Sequence, residues 1–192
     1  PGDVHIKYGY VKNDDVYVLK VASGFSDNEK LGVPFADGVI LVFSQKTGHL
    51  ELILHDECWL TDMRTAAAGA VVARHLAPRN VSGIGIIGTG GQARMQLELL
   101  KGIVDCQQCF VWGRDAGKVT KTISDLRENL TIQDWGLQIE AAGSVDELAT
   151  KCNLIVTTTS AKEELVLADH IQEGTHITAM GSDDHGKQEL EA

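Results

Sequence analysis

The spacing of apolar residues changes near residue 60. Before that point, apolar side chains form four short β-type runs separated by polar turns, at residues 4–8, 16–21, 39–43 and 50–54. Four such runs without an intervening helical pattern predict an antiparallel or mixed sheet. The last two runs flank a turn that contains Gly48, which is typical of a β-hairpin.

After residue 60 the pattern becomes helical and then alternates. A helix is predicted at 61–77, with Thr61 as its N-cap and Pro78 at its end. Strands are then expected at 84–88, 108–112, 137–141, 153–158 and 175–180, and helices near 91–103, 116–129, 144–150 and 167–172. This alternation predicts an α/β fold, a Rossmann-type doubly wound parallel sheet with its ligand site at the carboxyl ends of the strands.

A glycine-rich turn lies between the first of these strands and its helix. It has the G-x-G-x-x-A pattern, with Gly88, Gly90 and Ala93 at the small positions. Gly88 allows the tight turn, Gly90 lets a diphosphate approach the backbone, and Ala93 lets the helix pack closely on the strand. The pattern alone also fits an ordinary glycine turn, but its place between a strand and a helix favours a dinucleotide site.

Composition narrows the classes of function. The chain has 192 residues and a formal net charge of −10, which argues against general nucleic-acid binding. Its longest apolar stretch, residues 66–73, is far shorter than the roughly 20 residues of a membrane-spanning helix. The four cysteines lack disulfide-type spacing, which favours a cytoplasmic location. Cys106 and Cys109 have CxxC spacing, but there is no second ligand pair, so no metal site is predicted.

The end of the second Rossmann strand bears on the choice of cofactor. A preference for NAD requires an acidic residue there, to bind the ribose 2′-hydroxyl. Gly113 stands at that position and Arg114 follows it. An arginine can pair with a 2′-phosphate, so NADP(H) is favoured over NAD(H). Asp115, one position late, keeps NAD(H) open, and both charged residues also fit a solvated helix start.

Three further residues are candidates for chemistry, each with a structural alternative. Arg64 lies in the first turn of the 61–77 helix, where a cation opposes the helix dipole unless an anion binds beside it. Asp62 could simply neutralise it. Lys20 lies in an apolar run and could be an ordinary edge-strand lysine. Asp183 follows a parallel strand at its carboxyl end, where it is either an acid/base or the capping residue of a turn.

Several motifs together resemble the ornithine cyclodeaminase/mu-crystallin family. They are L-T-D-M-R-T-A-A from Leu60, G-T-G-G-Q-A from Gly88 and G-S-D-D-H-G-K-Q-E-L from Gly181. The segment K-V-A-S-G-F-S-D-N from Lys20 is similar to that family as well. The resemblance implies an NAD(P)-dependent enzyme that acts on an amino acid or a cyclic imine, as a homodimer without nucleic-acid or membrane partners.

The resemblance also implies roles for individual residues. Lys20 and Asp183 are expected to be catalytic, with Asp183 as the acid/base that acts on the second amine of the substrate. Lys20, Arg64 and Asp184 are expected to bind substrate. The residues expected at the dinucleotide are Arg64, Thr65, Gly88, Gly90, Gly91, Gln92, Arg114, Thr159, Met180 and Lys187.

The same resemblance defines the expected domains. Residues 1–60 would be part of a β-rich substrate and dimerisation domain, residues 61–78 a connecting helix and residues 79–187 the Rossmann domain. Residues 188–192 would begin the return to the first domain. Family members extend beyond this chain at both ends, so we expect it to be the centre of a longer enzyme, and activity of the chain by itself is left open.

The expected reaction is that of an ornithine cyclodeaminase, which converts ornithine into proline and ammonia. Ketimine reductase and alanine dehydrogenase are the alternative activities. A non-enzymatic NADPH-dependent carrier of a small ligand, similar to mu-crystallin, is the alternative to an enzyme. The sequence departs from the family where His185 replaces the usual proline of the last motif and where Gly113 replaces the NAD-type carboxylate.

Overall fold

The computed structural model describes residues 2–25, 27–183 and 185–191. The chain separates into two compact units, one that ends at Thr61 and one that begins at Asp62. Among the described residues, no helix combines the length and the apolar character needed to cross a membrane.

The first unit is built on a four-stranded antiparallel meander in the order β1-β2-β3-β4. Its strands are β1 (Gly2–Tyr10), β2 (Val16–Phe25), β3 (Ala36–Ser44) and β4 (Leu50–His55). The predicted β-rich region is therefore confirmed as an antiparallel sheet. Strand β2 runs four residues further than its apolar pattern indicated, because Gly24 still pairs with Ala36 across the sheet.

Strand alternation places apolar side chains of three strands on one face of this sheet, here called the aromatic face. Its members are Ile6, Tyr8, Tyr10, Tyr17, Leu19, Val21, Val39, Leu41 and Phe43, which are aligned by the register of β1, β2 and β3. The rings of Tyr17 and Phe43 are stacked, with their centroids 4.9 Å apart. None of these side chains is buried, and Tyr8 is 84% exposed. Lys20 has the opposite parity and lies on the other face.

Helix α1 (Trp59–Leu76) begins earlier than predicted. Thr61 was expected to be its N-cap, but that prediction is wrong, since Thr61 lies inside the helix. Asp56 takes over the role, because its Oδ2 accepts a hydrogen bond from the Leu60 backbone N–H at 2.8 Å. Asp56 precedes the helix, and its side chain spans a turn, Glu57 and Cys58, in which both residues have positive φ.

The second unit contains a five-stranded parallel sheet in the order β7-β6-β5-β8-β9. The strands are β5 (Ile84–Ile87), β6 (Gln108–Trp112), β7 (Gln138–Ala141), β8 (Leu154–Thr157) and β9 (His176–Ala179). The intervening helices are α2 (Gly91–Leu100), α3 (Ala116–Glu128), α4 (Leu130–Trp135) and α5 (Val145–Lys151). The predicted Rossmann-type sheet is confirmed, and its topological switch point lies between β5 and β8.

Two hydrophobic clusters cover the two faces of this sheet. Alternate strand residues contribute to one cluster or the other, so that Ile86 belongs to the first and Ile87 to the second. The first cluster includes Ala93 and Leu97 of α2, and the second includes Leu148 of α5. Burial on both faces explains why these strands read as short continuous apolar runs.

The remaining differences from the predicted elements are local. Helix α4 was not predicted, because six residues are too few to show a helical period, although Asn129 caps it through a bond from the Thr131 N–H at 2.9 Å. Helix α2 ends at Leu100 rather than 103, since Gly102 has a φ of +74°. The helix expected near 167–172 is a three-residue 3₁₀ turn, Ala168–His170.

Candidate functional site

The glycine turn follows β5 at the switch point of the parallel sheet. Gly88 has a φ of +135°, and a Cβ there would lie 2.3 Å from Thr158 Oγ1, so no larger residue fits. Its N–H donates to the Trp112 carbonyl at 2.9 Å, which ties the turn to the end of β6. Ala93 is fully buried in the cluster that contains Ile86, which is the close packing of helix on strand that the motif predicts.

The start of α2 is open to a ligand. Its N-cap, Gly90, makes no side-chain capping bond, and the first turn contains no acidic residue. A Cβ added at Gly90 or Gly91 would meet no atom within 4 Å. By contrast, Asp115, Asn129 and Ser144 cap the helices α3, α4 and α5 with their side chains. Without a side-chain cap, the N–H groups of the first turn and the helix dipole of α2 fit a diphosphate.

Arg94 braces the glycine turn from its other side. Its Nη1 donates to the carbonyl oxygens of Thr89 at 3.2 Å and Gly90 at 3.1 Å. Its Nη2 donates to Thr122 Oγ1 at 3.2 Å and to Asp125 Oδ2 at 2.9 Å, both on α3. The guanidinium thus holds two carbonyl groups of the turn in one orientation. Sequence reasoning missed this role, because the partners on α3 lie about thirty residues away along the chain.

The end of β6 has no acidic side chain, since Gly113 stands there against the glycine turn. A Cβ at Gly113 would lie 2.7 Å from Thr89 Cγ2, within the glycine turn itself. Asp115 is occupied as the N-cap of α3, where its Oδ1 accepts from the Lys118 N–H at 3.0 Å. Arg114 is exposed and makes no bond with any other residue that the structure describes. This arrangement leaves Arg114 as the charged group available at that strand end.

Arg64 is exposed in the first turns of α1 and makes no hydrogen bond or ion pair with any described residue. Asp62, the partner suggested by the sequence, accepts instead from Gln92 Nε2, through its carbonyl oxygen at 3.0 Å and its Oδ1 at 3.3 Å. The interpretation of Asp62 as the neutralising partner is therefore not supported. Because Gln92 lies in the first turn of α2, this bond brings the Arg64 segment beside the glycine turn.

The carboxyl ends of β8 and β9 are joined by Glu189. This side chain is fully buried. Its oxygens accept from Thr157 Oγ1 at 2.7 Å, from the Thr159 N–H at 2.6 Å and from the Gly181 N–H at 2.8 Å. Gly181 is required there, because a Cβ would lie 2.1 Å from the Thr159 carbonyl oxygen. The predicted residues Thr159 and Met180 are thus held on neighbouring strand ends, although sequence reasoning assigned Glu189 no role.

Asp183 and Lys187 form an ion pair after β9, with Lys187 Nζ 2.7 Å from Asp183 Oδ1. Asp183 is 71% exposed and Lys187 30% exposed, so the pair lies at the surface of the second unit. The prediction for Asp184 lies outside the described residues. The assignment of Asp183 as an acid/base and of Lys187 as a cofactor ligand stays a prediction.

Most of the predicted cofactor residues share one edge of the parallel sheet. Gly88, Arg114, Thr159 and Met180 each follow a different parallel strand at its carboxyl end. Lys20 lies separately in the first unit, half-buried on β2, where the register aligns it between Lys7 and Ile40. The structure therefore groups the dinucleotide candidates, whereas Lys20 is defined only by its place in the first sheet.

The cysteines do not contribute to this edge. All four are buried, and burial raises the pKa of the Cys109 thiol well above its usual range and that of Cys152 to about 12. Cys109 lies in β6, as expected from the sequence. Among the described residues, no three metal-ligating side chains come together.

Known proteins provide an independent comparison. The model of the ornithine cyclodeaminase/mu-crystallin family matches residues 2–192. An uncharacterized cyclodeaminase of Sinorhizobium fredii is 35% identical over 190 residues, which are 99% of this chain and 56% of that relative. The chain thus spans about half the length of the curated relatives it matches.

Solved structures agree with the fold. The Δ(1)-pyrroline-2-carboxylate reductase of Thermococcus litoralis, in complex with NADH and L-proline, matches with a TM-score of 0.81 and 26% identity, over 99% of this chain and 62% of that one. An archaeal alanine dehydrogenase dimer with bound NAD matches with a TM-score of 0.83 and 28% identity, over 99% of this chain and 60% of that one.

Proposed function

The chain belongs to the ornithine cyclodeaminase/mu-crystallin family, and we propose that it is the central part of an NAD(P)-dependent enzyme acting on an amino acid or its imine. One observation carries this proposal. Arg64 presents an exposed guanidinium, without an ion pair among the described residues, on a helix that Gln92 bonds to the start of α2. A carboxylate anchor thus stands next to an open diphosphate site.

The residues of the chain have distinct tasks in this proposal. The uncapped N–H groups of α2 bind the diphosphate, and the Gly88 turn lets it approach. Arg64 binds the substrate carboxylate through two parallel hydrogen bonds, which orients the Cα. A bound nicotinamide would supply hydride transfer at that carbon, in either direction.

Asp183 manages the protons of the substrate amine. Its carboxylate follows β9, the edge strand beside β8, with most of its surface open. In the deprotonated form it takes a proton from a substrate ammonium, which frees the amine to attack an imine carbon. The role of Lys20 as a second ammonium group for the substrate carboxylate is supported by the family resemblance alone.

We favour ornithine as the substrate, with proline and ammonia as products. The cyclodeaminase relative favours a deamination that closes a ring, and the T. litoralis reductase binds L-proline, a five-membered cyclic amino acid. Reduction of a cyclic imine and deamination of alanine are the alternative reactions. They use the same carboxylate anchor. In the reduction only a hydride adds to the imine, whereas in the deamination of alanine water adds to it.

The proposal for the cofactor is NADP(H) rather than NAD(H). The solved relatives contain NAD or NADH, so this choice rests on this chain's own residues. Position 113 has no carboxylate, a side chain there would require Thr89 to move, and Asp115 caps α3. Arg114 is the charged group left to meet a 2′-phosphate.

The full-length protein is proposed to be a homodimer through the aromatic face. Three apolar side chains of β1 on this face, Ile6, Tyr8 and Tyr10, are 67–84% exposed. Contiguous apolar surface of this kind marks interaction sites. The alanine dehydrogenase relative is a dimer, which favours a second copy of the chain as the partner.

One assay tests the proposed function. The full-length protein is incubated with L-ornithine, L-alanine and Δ(1)-pyrroline-2-carboxylate, each with NAD(H) and with NADP(H), and the 340 nm absorbance and the products are measured. For ornithine, chromatographic detection of proline is needed, since the cofactor is regenerated within one cycle. Proline formation supports the proposal. Tight NADPH binding without turnover of any substrate would favour the small-ligand carrier instead.

A further inference from the structure

Two glutamines of α2 form a bonded ladder to α1. Gln92 Nε2 donates to the Asp62 carbonyl at 3.0 Å, and Gln96 Nε2 donates to the Thr65 carbonyl at 3.3 Å and to Gln92 Oε1 at 3.4 Å. The glutamines are four residues apart, so both side chains extend from the same face of the helix. Their two targets on α1 lie on either side of Arg64. The ladder therefore bonds α2 to the segment of α1 that contains Arg64, the proposed carboxylate anchor.

Gln96 occupies a site made for its amide. The side chain is only 2% exposed, and burial of an amide is costly unless hydrogen bonds replace its water. A Cβ on Gly69 would lie 2.1 Å from Gln96 Oε1, so a glycine opens the space that the amide fills. The buried face of α1 otherwise consists of Ala66, Ala70 and Ala73. An apolar side chain would suit that face, so the polar one is there for its directed bonds.

The ladder joins the two anchoring groups of the proposed site. Helix α2 starts at the turn that binds diphosphate, and α1 carries Arg64 in its first turns. A shift of one helix past the other by a single residue would move Arg64 by about 1.5 Å. A misplacement of about 1 Å is enough to slow a reaction strongly when the reacting atoms must be aligned. The bonds to the Asp62 and Thr65 carbonyls oppose such a shift.

We propose that Gln96, together with Gln92, is a positioning residue that sets the register of Arg64 against the dinucleotide turn. It thereby fixes the distance between the bound substrate carboxylate and the nicotinamide. The proposal rests on the proposed role of Arg64 as the carboxylate anchor. It gives the Q-A-x-x-Q part of the α2 sequence, Gln92 to Gln96, a task in substrate binding rather than in dinucleotide contact alone.

Gln96→Met tests this in the full-length protein. Methionine keeps the length and flexibility of the side chain but removes both bonds, and the Thr65 carbonyl can keep its bond within the helix. We expect the KM of whichever of the three substrates is turned over to rise by roughly two- to tenfold, as for the loss of one hydrogen bond. The Kd of the dinucleotide, measured by fluorescence quenching, should stay within about twofold, since the α2 start is untouched. Gln107→Met, at an exposed position before β6, is the matched control and should leave the KM unchanged.

A second variant guards against a folding defect. Gly69→Ala pushes the Gln96 amide away from α1 without altering either glutamine, and alanine favours a helix. It should raise the same KM while thermal unfolding shows a folded protein. An unchanged KM in both variants would overturn the proposal.

A double-mutant cycle separates positioning from general loosening. Arg64→Lys alone should raise the KM by roughly ten- to a hundredfold, because lysine lacks the bidentate fork. If Gln96 acts through Arg64, Gln96→Met should have less effect in the Arg64→Lys background than in the wild type. Equal effects in both backgrounds would overturn the positioning role but leave the proposed function intact. Normal turnover by Arg64→Lys, or no turnover by the wild type, would overturn the proposed function and this proposal with it.

Discussion

At the scale of single residues, the ion pair between Asp183 and Lys187 bears on how a substitution of Asp183 should be interpreted. Both were expected in the site for different reasons, and they form an ion pair at 2.7 Å. Exposed pairs of this kind contribute little to stability. Replacement of Asp183 should therefore report on function rather than on folding.

We expect Asp183→Asn to reduce turnover by roughly 10²–10⁴-fold, because asparagine keeps the shape of the side chain but cannot accept a proton. The Kd of the dinucleotide should remain within a few-fold, since that binding needs no proton transfer. Steady-state kinetics and cofactor titration of the full-length protein measure both effects. Asp105→Asn, at an exposed loop position, is the control. Full turnover by Asp183→Asn would exclude an acid/base role.

The second residue-scale prediction concerns Arg114. With glycine at position 113 and Asp115 capping α3, Arg114→Ala should weaken NADPH binding by roughly tenfold or more, as for the loss of a charge-assisted hydrogen bond. NADH binding should hardly change, because NADH has no 2′-phosphate. Titration of wild-type and variant protein with both cofactors measures this. Wild-type protein that binds NADH at least as tightly, with no effect of the substitution, would contradict it.

At the scale of elements, local signals predicted each strand and the longer helices. The side-chain hydrogen bonds that join these elements could not be predicted. Ser144 caps α5, with its Oγ accepting from the Glu147 N–H at 3.0 Å. Such caps act within a few residues and are visible in the sequence. The bonds of Arg94 and Glu189 span about thirty residues, and no local pattern records them.

The brace at the glycine turn leads to the prediction at this scale. Arg94→Met keeps the apolar stem but removes the guanidinium bonds to the Thr89 and Gly90 carbonyl groups, so that the Thr89 carbonyl keeps only the bond from Thr122 Oγ1 at 3.2 Å. The turn should then sample orientations that suit the diphosphate less well, and we expect the Kd of NADPH to rise by roughly three- to tenfold. Lys121→Met removes the other cation beside Asp125 but leaves the turn bonded, so it should change the Kd much less. Equal effects of the two variants would contradict the brace.

At the scale of the whole molecule, the sequence predicts the fold of the chain but does not determine which reaction it takes part in. Strand and helix periods are local, so the parallel sheet and the antiparallel sheet were both predictable. The chain spans about half the length of the curated relatives it matches, so the choice of substrate stays a proposal. Even within the chain, the Gln96 bond to Thr65 joins residues 31 apart, so it had to be observed.

The aromatic face carries the last prediction. Ile6 and Tyr8 are 67% and 84% exposed, and large apolar side chains at adjacent points of one sheet face favour burial against a partner. If two copies of the full-length protein associate through this face, Ile6→Lys with Tyr8→Lys places charges that association would have to desolvate without partners. Light scattering after gel filtration should show a dimer for the wild type and half that mass for the double variant. Val11→Lys, an equally exposed apolar position in the turn after β1, should remain dimeric. A dimer that survives the double substitution would place the interface elsewhere, because two buried lysines on this face would cost more than such an interface could offset.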